Sequence, residues 1–206
     1  MSLLDSRTSY KPHQYPWAYE GYKIQQKMHW IPEEVPLHND VSDWKNKLTD
    51  SEKNLLTQIF RFFTQADVDI AKGYLTHYIP IFKGNPEVAM MLSTFAAMEA
   101  VHVDAYSLLL DTIGMPETEY QAFSQYKEMA AKHDFFDLVS HDSPAEIAKA
   151  LAIYSAFGEG LQLFSSFAIL LNFTRFGKMK GMGQIVTWSI LDESVHCKYM
   201  LELFAT

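Results

Sequence analysis

Cysteine is almost absent from this 206-residue chain: Cys197 is the only one. That excludes an intrachain disulfide framework and any structural zinc or iron–sulfur site built from several thiolates, and it fits a reducing, cytoplasmic setting. Charge is also sparse, at 20% of residues, and basic residues are the minority, 17 against 25 acidic, for a net charge of −8. Nucleic acid and anionic membrane surfaces both select basic faces, so neither is expected as a partner. The N-terminus, MSLLDSRTSYKPHQYPWAYEGYK, lacks an apolar stretch of signal-peptide length. No run is expected to reach the roughly 20 apolar residues of a bilayer span. Repeats, low-complexity tracts and hairpin dipeptides flanked by alternating residues are missing too. What is abundant is apolar material, 48% hydrophobic and 14% aromatic, enough for a sizeable core.

Helix signals dominate after the first forty-odd residues. A single domain over 1–206 is expected, with an aromatic arm over 1–41 lying across a helical bundle over 42–206. Thr49-Asp-Ser-Glu52 has the spacing of a capping box and opens a helix running to about Pro80. Gly84-Asn85-Pro86 supplies a break, an N-cap and a proline at the first helical position; that helix stops at Gly114. Pro116 starts a helix to about Lys132, and Ser143-Pro-Ala-Glu146 caps another to about Asn172. A last helix follows Gly181-Met-Gly183. The fold class is all-α, with four long helices at its centre.

Two of those helices carry Glu-x-x-His, as Glu99-Ala-Val-His102 and Glu193-Ser-Val-His196. Residues three apart on a helix share a face, so each pair can aim a carboxylate and an imidazole at one point. Thirteen glutamates and eight histidines would give about half a match by chance, so the motif alone is no more than suggestive. Its surroundings, FAAMEAVHVDAY and WSILDESVHC, are apolar, where an uncompensated charge is costly. Two further acids stand in similar settings: Glu159 in AFGEGLQLFSSFAILL, and Asp67 or its rival Asp69 after Phe62-Phe63. One acid on each of two helices with Glu-x-x-His on two others is the ferritin-like dinuclear pattern. Four carboxylates balance two divalent ions, and carboxylate with imidazole suits iron or manganese. His29, His38, His77, His133 and His141 have no acid at ligand spacing and read as surface or capping residues.

The segment Glu99-Ala-Val-His102-Val-Asp-Ala-Tyr106 resembles the Glu-x-x-His-x-x-x-Tyr segment of the small, radical-generating subunits of class I ribonucleotide reductases. His29-Trp30-Ile-Pro-Glu-Glu-Val35 resembles that family's tryptophan-bearing arm, and FGEGLQLFSSFA and LDESVH its third and fourth ligand segments. Aligning Phe62-Phe63-Thr-Gln-Ala-Asp67 with the first ligand segment selects Asp67 over Asp69. The resemblance implies a metal near Tyr106 held by Asp67, Glu99, His102 and Glu193. It implies a second held by Glu159 and His196 with Glu99 and Glu193 shared. It further implies two iron ions, with manganese as the other option, and a stable radical on Tyr106 formed when oxygen is reduced. Trp30 and Asp192 would carry the radical equivalent toward a large catalytic subunit that reduces ribonucleotides. Leu163 and Phe167, one and two turns past Glu159, are placed to wall the tyrosine from water.

Two positions depart from that family, Leu191 where an arginine is common and Ser189 where an apolar residue often shields the tyrosine. The chain also stops ten residues after His196. The partners expected are therefore the large subunit, a second copy in a homodimer, and a second polypeptide supplying the C-terminal segment that the family carries. The alternatives are another ferritin-like dinuclear oxidase or monooxygenase, and a non-catalytic ferritin-like metal binder or split-gene fragment.

Overall fold

The computed structural model describes residues 2–137 and 139–206. Every regular element among them is helical, as expected. The arm, whose sequence shows no sustained helical period, is largely helical. It contains α1 (Pro16–Lys27), a 3₁₀ turn over Pro32–Glu34 and α2 (His38–Asn46). Proline at the first position of α1 sacrifices no hydrogen bond. Packing then selects the helix: a Cβ on Gly21 would sit 2.9 Å from both Met91 and Tyr199, so only glycine allows this approach.

Helix α3 (Asp50–Gly73) opens on the capping box, with Thr49 N–H donating to Glu52 at 2.8 Å and Glu52 N–H donating back to Thr49 Oγ1 at 3.3 Å. It continues through a π-helical turn at Tyr74–Tyr78 into α4 (Ile79–Phe82). Helix α5 (Pro86–Ile113) begins at Pro86 and ends on Gly114, whose φ of 80° requires glycine. Asn85 does not cap it through its side chain; that amide instead donates to the carbonyls of Leu3 and Asp5. The helix expected from Pro116 is broken into α6 (Thr118–Gln121), a 3₁₀ turn (Ala122–Gln125) and α7 (Lys127–Asp137). Ser143 caps α8 (Pro144–Leu151), which runs into a twelve-residue π-helical stretch, Ala152–Leu163, and then α9 (Phe164–Arg175).

Helix α10 (Lys180–Ala205) starts before the two glycines rather than after them. The buried acids of α2 cap it. Asp40 accepts from Gly181 and Met182 N–H, both at 2.8 Å, and Asp43 from Met179 N–H at 2.9 Å. Gly181 and Gly183 are therefore contact points, since a Cβ would run into Asp40 at the first and overlap Thr174 at the second.

Helix α5 and the run Pro144–Arg175 are long and apolar enough to cross a bilayer by length and composition, contrary to expectation. Each nonetheless carries buried ionisable side chains, Glu99 and His102 on the first and Glu159 on the second. The apolar interior falls into two clusters. One gathers Trp30, Phe63, Tyr106, Leu163 and Phe167; the other gathers Tyr74, Phe95, Tyr154 and Tyr199. A polar layer separates them.

Candidate metal centre

That layer consists of Asp67 from α3, Glu99 and His102 from α5, Glu159 from the π-helical stretch, and Glu193 and His196 from α10. Each is at most 1% exposed. One ligand atom from each of Glu99, Glu159, Glu193 and His196 lies within 4.8 Å of the others. His196 Nδ1 is 2.9 Å from Glu99, 3.4 Å from Glu193 and 3.6 Å from Glu159. His102 Nδ1 faces the same carboxylates, 3.3 Å from Glu193 and 3.5 Å from Glu99. Asp67 stands outside the tight group of four and is buried close enough to feel His102, Glu99, Glu193 and Glu159. Five of the residues singled out by sequence, Glu99, His102, Glu159, Glu193 and His196, thus lie within contact range of one another's ligand atoms. Asp69 is engaged elsewhere: its carboxylate accepts from Gln65 at 2.8 Å and meets His133 Nδ1 at 2.9 Å. His133, which has no acid at ligand spacing in the sequence, thus pairs with an acid on another helix.

The donor set fits hard divalent ions. Among the described residues, six carboxylate oxygens in this layer (Asp67 Oδ2, both of Glu99, both of Glu193, Glu159 Oε2) have no well-aligned hydrogen-bond donor, the nearby imidazole nitrogens included, although all are sealed from solvent. Buried carboxylates without a counter-charge cost several kcal/mol each, and cations remove that cost. Protons are the alternative. Burial, reinforced by neighbouring carboxylates, raises the Asp67 carboxyl well above its usual range and Glu159 to about 8. The facing carboxylates raise both imidazoles against the opposing effect of burial, and Glu99, next to those imidazoles, is lowered despite its burial.

A pH dependence follows. Without a divalent ion the folded chain holds more protons than the unfolded chain, from the ordinary carboxyl range up to about pH 8. Its stability should therefore fall as pH rises across that window, because the unfolded chain binds fewer protons. Divalent ions displace those protons, so binding should release them and flatten the fall. Thermal midpoints in chelator and in Mn²⁺, from about pH 5.5 to about pH 8, check this; a midpoint in chelator that rises with pH contradicts it.

Tyr106 lies beside the layer, buried, with a hydroxyl that makes no well-formed hydrogen bond among the described residues. Burial, and after it the charge of Asp67, pushes the phenol far above its usual range. Ser189 is the neighbouring polar group. The wall is built differently from expectation. Phe63 stacks directly on Tyr106 (centroids 4.7 Å apart, 17° between planes), and Phe167 backs Phe63 at 5.2 Å and 16°.

On the other side of His102, Asp192 collects three groups. Gln25 Nε2 donates to it at 2.6 Å, Trp30 Nε1 at 2.8 Å, and His102 Nε2 lies 3.1 Å away. An acceptor at Nε2 leaves Nδ1 as the nitrogen aimed at the carboxylates. Trp30 also stacks on His102 with centroids 6.0 Å apart, and meets Trp188 at 5.2 Å. A surface cleft of about 290 Å³, lined by Trp30, Trp188, Leu191 and Asp192 among others, lies at this end.

Sequence reasoning missed Gln25, Phe63 as the ring against Tyr106, and Tyr74, whose hydroxyl donates to Glu159 Oε1 at 2.7 Å. Only Tyr74 left a signal, two helical turns past Asp67 on the same face.

The profile of the family described as "Ribonucleotide reductase, small chain" matches residues 7–206. The chain is 51% identical to the probable ribonucleoside-diphosphate reductase small subunit of Invertebrate iridescent virus 6, over 99% of this chain and 60% of that one. With the corresponding protein of Invertebrate iridescent virus 3 the identity is 45%, over 100% and 59%. It therefore spans about three fifths of the length of these relatives. Among solved structures, the ribonucleotide reductase R2 subunit from Clostridium botulinum superposes with a TM-score of 0.83 at 23% identity, over 96% of this chain and 63% of that one. The R2-like ligand-binding oxidase from Sulfolobus acidocaldarius superposes with a TM-score of 0.78 at 26% identity, over 95% and 74%. With its helical fold, its buried carboxylate–imidazole layer and these similarities, the chain belongs to the ribonucleotide reductase small-chain family.

Proposed function

We propose that this chain is the metal-binding core of a ribonucleoside-diphosphate reductase small subunit, which stores an oxidising equivalent on Tyr106 for use by a large subunit. The observation that carries the reading is the placement of Tyr106, sealed between Phe63 and a layer of acceptors that lack donors. Asp67, Glu99, His102 and Glu193 would hold the ion nearer the tyrosine, and Glu159 and His196, with Glu99 and Glu193 shared, the other. The chemistry such ions supply when bound is oxidation with dioxygen as electron acceptor. Solved structures of an R2-like ligand-binding oxidase carry Mn/Fe or Fe/Fe cofactors, and this donor set suits either metal.

The chain's own residues do the rest. Tyr106 would give up one electron to dioxygen, the terminal acceptor, and its phenolic proton to the carboxylate layer beside it, where Asp67 is the acid that acts on it most, and would hold the equivalent as a neutral radical. Phe63, Phe167 and Leu163 keep water and reductants from it. Asp192 fixes the ring of His102 and links it through a hydrogen bond to Trp30, at the surface cleft where a partner would draw the equivalent away.

The superposition on the R2-like ligand-binding oxidase favours a second reading, an oxidase that acts on a bound small molecule. Optical and electron paramagnetic resonance spectra after adding ferrous iron and oxygen separate the two. A tyrosyl radical signal supports the reductase reading, and a diferric absorption without a radical supports the oxidase. Slow mineral formation would mark a metal store.

A further inference from the structure

Tyr74 is one of the largest side chains sealed in the interior, and none of the roles above uses it. Its hydroxyl donates to Glu159 Oε1 at 2.7 Å, while Glu159 Oε2 has no donor at all. Its ring is fixed edge-on against Phe95, Tyr78 and His196, at centroid distances of 6.2, 5.5 and 6.1 Å. The hydroxyl therefore has a defined position rather than a choice of partners.

Glu159 lies between Gly158 and Gly160 inside the π-helical stretch, an irregular backbone of the kind often found at functional sites. The glycines let this segment pack closely, since a Cβ added at Gly158 would press on Ile70 at 3.0 Å. A carboxylate on such a segment takes its orientation from what its oxygens touch. Oε1 touches the Tyr74 hydroxyl and lies 3.6 Å from His196 Nδ1.

We propose that Tyr74 is a positioning residue for Glu159: its hydroxyl occupies Oε1 and leaves Oε2, which no donor among the described residues reaches, free for a divalent ion, so that Glu159 would hold the ion through one oxygen. This rests on the metal-centre reading above. Tyr78 shows what an ordinary buried tyrosine does here, since its hydroxyl donates to the Ala150 carbonyl at 3.1 Å and touches no carboxylate.

The test uses the intact chain with Mn²⁺ alone and Co²⁺ alone. Tyr74→Phe keeps the ring and should keep the fold by circular dichroism. Its affinity for the second ion should weaken about 10–100-fold, the usual effect of losing a hydrogen bond to a ligand. Its Co²⁺ visible bands should change intensity as Glu159 is freed to bind through both oxygens. Tyr78→Phe should bind both ions as the parent does, with the parent's bands. If Tyr74→Phe fails to fold, 3-fluorotyrosine at the same site preserves shape and strengthens the donor, and the bands should shift in the opposite sense. Parent-like affinity and bands in Tyr74→Phe overturn the proposal, as does an equal change in Tyr78→Phe or unmoved bands with 3-fluorotyrosine. A parent that binds neither ion overturns the metal-centre reading and this inference with it.

Discussion

Tyr106→Phe should bind both metal ions and still consume oxygen on mixing with ferrous iron, yet show no stable radical by electron paramagnetic resonance. The substitution removes one hydroxyl that makes no well-formed hydrogen bond among the described residues and is not among the proposed ligands. The ring that remains still stacks on Phe63, so the packing between α3 and α5 is preserved. Stability should change by less than about 1 kcal/mol, or improve, because an unpartnered buried hydroxyl is itself a cost. The radical should fall from stoichiometric to undetectable. A persisting tyrosyl signal would move the stored equivalent to another tyrosine, and loss of a metal ion would make the hydroxyl a ligand after all.

Asp192→Ala should be the most damaging substitution outside the six proposed ligands. It removes the common acceptor of Gln25, Trp30 and His102, all in a buried setting. Each stranded donor costs about 1–3 kcal/mol. His102 also loses the group that fixes its ring, so metal affinity should drop about 10–100-fold. Trp30→Phe is the informative contrast. It withdraws a single donor and leaves Asp192 with Gln25 and His102, so metal binding and Tyr106 oxidation should persist while transfer to a large subunit fails. Denaturant unfolding beside Mn²⁺ titration checks the pair; an Asp192→Ala protein as stable and as tight-binding as the parent contradicts the arrangement.

What could be read from sequence was whatever a single helix encodes. Glu99 and His102, or Glu193 and His196, share a face by spacing alone, and Thr49 with Glu52 closes a cap within four residues. Choosing Asp67 over Asp69 needed the resemblance, because the physical reason lies off the helix: Asp69 is taken by His133 on α7 and by Gln65. Helix α1 lacks a sequence capping signal, and its place is set by the close approach of Gly21 to Met91 on α5 and Tyr199 on α10. Gly181 and Gly183 read as a break for a related reason, since their small size serves contact with α2 and Thr174 and the cap comes from Asp40 and Asp43, far away in sequence. The π-helical stretch around Glu159 has no compositional signature apart from the glycines that flank that residue.

The most direct measurement is the metal content of the purified chain and of Glu99→Ala, Glu159→Ala and Glu193→Ala after loading with ferrous iron and removal of loose ions. Four clustered carboxylates in a sealed layer need about four positive charges to stay ionised. The parent should therefore hold two ions per chain, and each variant should lose at least one. Two ions retained in all three variants, or none in the parent, would contradict a dinuclear centre in this layer.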